Sequence, residues 1–389
     1  MFIHNHCWCS YSDSPIIQYD WLKAEQNFFK PLPMLGDVAY QRIHVDTGEA
    51  SGLSQPVYRH EGSFSDVVSI RIRDSVLTME GNPSRWGKLD NVFGCTSIDE
   101  CFSVFNGILC SLGLPSFSKG TRFKLRQLPD NSFCGHIWNG AIIRETHINS
   151  NYSVGYNNEK PFIRGVSTLP YRNSLPRLHT NGMACDWLSK LGNANLIYPT
   201  VYCKANELLI HTVKKIKSKF GEDSNEFRYV QQLHEFLVLN GVVRFEQKLK
   251  SRYLQKHDLC YWGYSEFEIL EDLQREFISI VNKLSLTAYD VHTISSALIT
   301  NGIVDNVKAA NTTAYYAYSW MNGERFDLKK SSVQIHRARL RKIGIDIAME
   351  YDASKTPGVV IHNMREISMQ ETVMPDWYRK RVTPLYAVG

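Results

Sequence analysis

The chain has 389 residues, 43% of them hydrophobic and 21% charged, with a formal net charge of +5. That is the composition of a globular protein of two or three domains and excludes a disordered chain. No run approaches the roughly 18 apolar residues of a membrane helix, and the polar start Met1-Phe2-Ile3-His4-Asn5-His6 does not read as a signal peptide, so a cytosolic protein with no membrane partner is expected.

Nine cysteines without a Cys-x-x-Cys pair fit free thiols in a reducing compartment. His4, His6, Cys7 and Cys9 are ligand-type residues, but they lack partners at zinc spacing and no zinc site is expected there. The positive charge is clustered: Lys214, Lys215, Lys217 and Lys219; Arg337, Arg339, Arg341 and Lys342; Arg379, Lys380 and Arg381. Each cluster alone is a solvated face; together they point to an anionic polymer.

In chain order, residues 38–80 read as β-rich, with Val68, Ile70 and Ile72 alternating against Ser69, Arg71 and Arg73. Gly81-Asn82-Pro83 breaks the pattern. Ser97 and Glu100 then stand at capping-box spacing before the helical face Ile98, Cys101, Phe102, Phe105, Ile108, Leu109 and Leu112. From Ile142 to Val154 a strand is predicted in which Glu145, His147, Asn149 and Asn151 share one face. Such a file of carboxylate, imidazole and amide oxygen can hold a divalent cation, and it is equally the pattern of a solvent-facing polar edge. Residues 155–186 read as an irregular polar excursion with Arg164, Arg172 and Arg177, a DNA-contacting loop.

Leu196 to Leu208 reads as a strand running into a helix, with Tyr202 and Lys204 on one side of the strand. A phenol titrates at about pH 10, and a neighbouring ammonium or metal ion would raise its phenolate fraction and make it a usable nucleophile. The plain alternative is a half-buried tyrosine beside a solvated lysine. A Lys-rich helix follows, then a helix from about Phe227 to a C-cap at Asn240-Gly241, then the alternating strand Val242 to Leu249 with Arg244, Glu246 and Lys248 on one face. Beyond Tyr264 the pattern is helical. Helices over Asn306–Met321 and Lys330–Ile343, the second carrying Gln334, His336, Arg337, Arg339, Arg341 and Lys342, resemble a helix-turn-helix with a basic recognition helix; a bundle with a charged exterior would look the same.

Five blocks spread along the chain resemble the gene II replication initiators of filamentous bacteriophages, the II/X family of phage and plasmid replication proteins. They are Asn91-Val92-Phe93-Gly94, His147-Ile148-Asn149 through Tyr152-Ser153, Val201-Tyr202-Cys203-Lys204 with Glu207-Leu208, Val243-Arg244-Phe245-Glu246 through Arg252-Tyr253-Leu254, and Pro375-Asp376-Trp377-Tyr378. The resemblance implies an α+β protein: a mainly antiparallel sheet with flanking helices, of the HUH-like nuclease type, over residues 1–260, and a helical DNA-binding domain over residues 261–389. It implies a site-specific nickase and strand-joining enzyme of rolling-circle replication, with Tyr202 as the residue joined to DNA and Lys204 beside it.

Where the family usually carries Arg-hydrophobic-Asp, this chain has His147-Ile148-Asn149. The implied ligands of a Mg²⁺ or Mn²⁺ ion are therefore His147 and Glu246, with Asn149 and, as a substitute carboxylate, Glu145. Arg244, Lys248, Arg252, Gln334, Arg337, Arg339, Arg341 and Lys342 are the expected DNA contacts. The expected partners are origin DNA as supercoiled duplex and single strand, a host single-strand-binding protein and, since no Gly-x-x-x-x-Gly-Lys loop is present, a host helicase, all in the cytoplasm of a bacterial host, with oligomerisation on DNA. The competing reading is a non-catalytic DNA-binding regulator of replication or transcription.

Overall fold

A computed structural model describes residues 16–64, 66–128, 132–283, 291–321, 323–343, 345–348, 351, 367 and 369–381. His4, His6, Cys7, Cys9 and Gly344 lie outside the described residues. Two compact units emerge, one of Met1–Asn157, Asn193–Phe277 and Met369–Gly389, the other of Asn158–Gly192 and Ile278–Ser368.

The strands are β1 (Gln18–Asn27), β2 (Tyr40–Ile43), β3 (Ala50–Ser54), β4 (Tyr58–Glu61), β5 (Val67–Arg73), β6 (Val76–Gly81), β7 (Phe123–Gln127), β8 (Phe133–Trp138), β9 (Ile142–Ser153), β10 (Leu175–Leu178), β11 (Ala184–Leu188), β12 (Ile197–Cys203), β13 (Val242–Lys250) and β14 (Gln370–Glu371). The α-helices are α1 (Ile98–Ser111), α2 (Glu159–Val166), α3 (Lys204–Leu208), α4 (Lys214–Phe220), α5 (Asn225–Asn240), α6 (Ser251–Lys256), α7 (Ile269–Ile278), α8 (Val291–Thr300), α9 (Val307–Met321) and α10 (Ser331–Arg341). The protein is thus α+β, as expected, with a large antiparallel sheet.

In the first unit the strand order is β12-β13-β9-β1-β6-β5-β4, with β14 on β9. Alternation gives this sheet two chemically different faces. Leu22 and Ala24 of β1, Ile148 of β9 and Leu249 of β13 join a core with Phe102, Phe105 and Ile108 of α1 and with Tyr253, Leu254 and Trp262. Helix α1 starts where Ser97 accepts from the Glu100 amide, and its six buried residues repeat the spacing read from the sequence. On β13 the core-side Gln247 amide reaches Leu273 O and the Gln274 side chain of α7, so the one polar residue on that face is paired. The other face carries Tyr202, Arg244, Glu246, Lys248, His147 and Glu145.

Helix α5 ends at Gly241, whose left-handed φ of +59° leads directly into β13. A side chain there would place its Cβ 1.9 Å from Gly155 O. Glycine is therefore required twice over, for the backbone turn and for the close approach of the β9 end.

In the second unit, residues 159–188 are not the irregular loop expected from composition. They form α2 and the β10–β11 hairpin. Phe162, Ile163 and Val166 give α2 a buried side, and Trp187 is buried with its indole donating to Leu169 O, so a few large apolar side chains outweigh the polar majority. Arg177, read as a DNA contact, makes a two-toothed pair with Asp186 of the same hairpin. Helices α8, α9 and α10 surround Ile294, Leu298, Ala310, Ala314, Ala317, Trp320, Val333 and Leu340. Among the described residues, no helix is long and apolar enough to cross a membrane.

Candidate active site

Strand registry assembles the site. Tyr202 of β12 pairs with Arg244 of β13, Glu246 pairs with Asn149 of β9, and Lys248 pairs with His147. Side chains from three distant stretches therefore share one face. Along β13 that face opens gradually: side-chain exposure is 0% for Arg244, 9% for Glu246, 33% for Lys248 and 35% for Lys250. Tyr202 and Glu246 stand where the buried end gives way to the open one.

A chain of polar contacts links them. The Tyr202 hydroxyl donates to Glu246 Oε2 at 2.7 Å. Glu246 Oε1 lies 3.4 Å from His147 Nδ1, and His147 Nε2 lies 3.0 Å from Glu145 Oε1, which also receives Lys250 Nζ. Trp21 stacks on the imidazole with centroids 5.9 Å apart. Burial pushes the His147 pKa down, but contacts with two carboxylates outweigh it and hold the ring above its ordinary value. The same contacts overcome burial for the acids: Glu145 is held at about 2, and Glu246 well below the carboxylate range. Burial and the Glu246 charge push Tyr202 well above the usual phenol value, so its proton stays on Oη.

Lys204 is not the partner of Tyr202. Strand β12 ends at Cys203 and α3 starts at Lys204, so two-residue alternation does not carry through the junction. Its fully buried ammonium bonds Asn91 Oδ1 at 2.8 Å and Glu207 Oε2 at 2.6 Å. Burial and Arg244 push its pKa down. Arg244 likewise does not present itself to DNA. Its guanidinium is enclosed by Asn151 Oδ1 at 2.8 Å, Asn91 O at 2.7 Å, Val92 O at 2.9 Å and Asp20 Oδ2. Asp20, absent from the sequence-derived set, is the carboxylate at the centre of this buried end. The signal that could have found it is an acid in the buried half of a strand, Gln18-Tyr19-Asp20-Trp21, where solvation cannot account for it.

A 312-residue stretch is 54% identical to the replication-associated protein of Escherichia phage If1, covering 80% of this chain and 97% of that protein. The chain belongs to this family of phage replication-associated proteins. Residues 298–384 also match the model that describes the C-terminal part of the same family. No solved structure matches the chain.

For a phage replication-associated protein the expected ligand residues can be tested against a hard cation. Among the described residues, no three His, Cys, Asp or Glu side chains gather as a metal-binding group. His147 has both ring nitrogens occupied by carboxylates. Glu246 and Asn149 fit better, because Asn149 is fully buried and its Oδ1 has no partner while its Nδ2 donates to Gln18 O at 3.3 Å. Lys248 and Arg252 are accessible to a polyanion. In the second unit, Arg337 is paired with Asp346 at 2.6 Å, Arg341 lies 3.7 Å from the same acid, Gln334 donates to Leu328 O, and Arg339 reaches Thr313 Oγ1 at 3.4 Å. Lys342 is exposed at the end of that helix.

Proposed function

We propose that this protein is the site-specific nickase and strand transferase that starts and ends rolling-circle replication of a phage genome, with Tyr202 as the nucleophile. The observation that carries the reading is the Tyr202 hydroxyl on Glu246 Oε2, at the mouth of a polar sheet face whose outer end is cationic. The nuclease chemistry is assigned to an HUH-like fold in residues 1–260. Duplex binding is assigned to residues 261–389, with α9 and α10 as a helix-turn-helix whose basic helix includes Gln334, Arg337, Arg339, Arg341 and Lys342.

Tyr202 Oη attacks the scissile phosphorus in line. The P–O3′ bond breaks, a 5′-phosphotyrosine forms, and the leaving oxygen takes a proton to become the free 3′-hydroxyl that primes synthesis. The phenolic proton passes to Glu246, the acceptor already in place. Reversal by a later 3′-hydroxyl circularises the strand without ATP, because the ester retains the energy of the broken bond. Glu246 and Asn149, flanked by His147 and Glu145, would hold Mg²⁺ or Mn²⁺, which when bound offsets charge developing on the phosphate oxygens. Lys248 and Arg252 hold single-stranded DNA by its phosphates. Origin DNA, a host helicase, a single-strand-binding protein and other copies of this chain on DNA are the partners of this reading.

A supercoiled origin plasmid tests it. Tyr202→Phe should keep origin binding and lose both the nick and the covalent adduct; unchanged cleavage would remove Tyr202 from the mechanism. A non-catalytic regulator predicts binding without a nick in wild-type protein.

A further inference from the structure

Six buried side-chain nitrogen or oxygen atoms among the described residues have no hydrogen-bond partner: Asp20 Oδ1, Asn149 Oδ1, Thr200 Oγ1, Gln55 Nε2, Arg85 Nε and Trp138 Nε1. Buried polar atoms in native proteins are nearly always paired, so each exception asks for an explanation. The three nitrogens are in separate places: near Leu35, beside Thr212, and among the rings of Phe123 and Tyr261. The three oxygens are together. Thr200 pairs across the sheet with Glu246, Glu246 with Asn149, and Asn149 with Gln18. Asp20 follows at the register shift between Tyr19 and Trp21, and its second oxygen is tied to Arg244 and Asn91. Asn149 is 0% exposed and Asp20 4%.

We propose that Asp20 Oδ1, Asn149 Oδ1 and Thr200 Oγ1, with the Glu246 carboxylate, form an oxygen-lined cradle for a hard divalent cation of the Mg²⁺ or Mn²⁺ class, in which Asp20 and Thr200 are ligands. This deepens the nickase reading and rests on it for its purpose, though not for its test. The chemistry of the set selects the ligand. Every orphan is an acceptor, two members of the row carry carboxylates, and small divalent cations take oxygen donors and carry two charges to satisfy them. An anion finds no donor here, and a soft metal finds no sulfur. His147 stays outside the cradle, its ring nitrogens facing Glu145 and Glu246. It serves as a positioning residue for Glu246.

The experiment titrates Mn²⁺ into the full-length protein without DNA, reading free Mn²⁺ by electron paramagnetic resonance and Tm in parallel. Asn149→Asp should tighten Mn²⁺ binding by about tenfold, because added ligand charge raises affinity for a hard cation. Its Tm should fall without metal and recover when Mn²⁺ is added. Asp20→Asn should weaken binding by about tenfold or more, and the near-isosteric Thr200→Val by a few-fold. If the orphans hold only water, Thr200→Val leaves Mn²⁺ affinity unchanged and keeps or raises Tm, and Asn149→Asp gains neither affinity nor metal-dependent recovery. Either result overturns the proposal. Thr200→Val adds no charge and changes little volume, so it keeps the test decisive even if Asp20→Asn fails to fold. The covalent-adduct assay on Tyr202→Phe is separate, so loss of the cradle and loss of the nickase reading are distinguishable.

Discussion

Replacing Arg244 by methionine separates the two roles a cation on β13 can have. In the structure its guanidinium satisfies four oxygens, those of Asn151, Asp20, Asn91 and Val92, at 0% exposure. Methionine fills a similar volume without charge or donors. Breaking a buried ion pair from one side costs about 3–5 kcal/mol, because the remaining carboxylate is left uncompensated. At about 2–4 °C per kcal/mol for a unit of this size, Tm should fall by about 6–20 °C. Urea and thermal unfolding followed by circular dichroism read this directly. A salt titration of DNA binding, run below the new Tm, should keep its wild-type log–log slope. The reasoning is refuted if Tm is unchanged and the slope becomes shallower by about 0.9, the signature of one lost phosphate contact. Asp20→Asn combined with Arg244→Met should cost less than the two changes summed, since both break the same pair.

The acid–imidazole pairs predict a pH profile of stability. Glu145, held at about 2, contributes stability that is present above its unfolded value of about 4.5 and is lost as pH falls toward 2. His147, raised above 6.5, contributes stability present below that value and lost as pH rises through its folded pKa. His147→Gln should therefore flatten the alkaline limb of a urea-midpoint profile and leave the limb below pH 4 partly in place; an unchanged alkaline limb would show the imidazole is not charged there. A second comparison concerns glycines. Gly113, at φ +67°, has open space where a Cβ would go, whereas Gly241 faces Gly155 O. Gly113→Ala should cost about 1–2 kcal/mol from backbone strain alone, and Gly241→Ala clearly more; equal urea midpoints would mean the β9–α5 approach gives way freely.

Much of this arrangement was legible because it depends on short-range pattern. The Ser97 cap, the α1 face, the Gly241 stop and the shared face of Glu145, His147 and Asn149 all follow from periods of 3.6 and 2.0 applied within one element. The errors arose at junctions and under covers. Alternation put Lys204 beside Tyr202, but the helix begins one residue after β12 ends. The same alternation put Arg244, Glu246 and Lys248 on one face correctly, yet said nothing of what lies over it. Asn91 O and Val92 O close the Arg244 end and leave the Lys248 end open. Which end is covered depends on a loop about 150 residues away, beyond any periodicity.

That loop also explains why separate sequence blocks travel together. Asn91 holds Lys204 through its side-chain oxygen and Asp20 through its amide, while its carbonyl and that of Val92 hold Arg244. The neighbouring Asp90 accepts from Tyr229 at 3.1 Å and from Tyr378 at 2.7 Å. The Tyr378 hydroxyl also receives Lys88 Nζ at 2.8 Å, and its ring meets Phe93 edge-on. The Pro375–Tyr378 block is therefore the support of the loop that encloses the inner end of the polar face. Its reach to the site is mechanical: Tyr378 holds the loop, the loop holds Arg244, and β13 carries Arg244 two residues from Glu246, the acceptor of the Tyr202 proton. Loosening the last block should disturb a tyrosine it never touches.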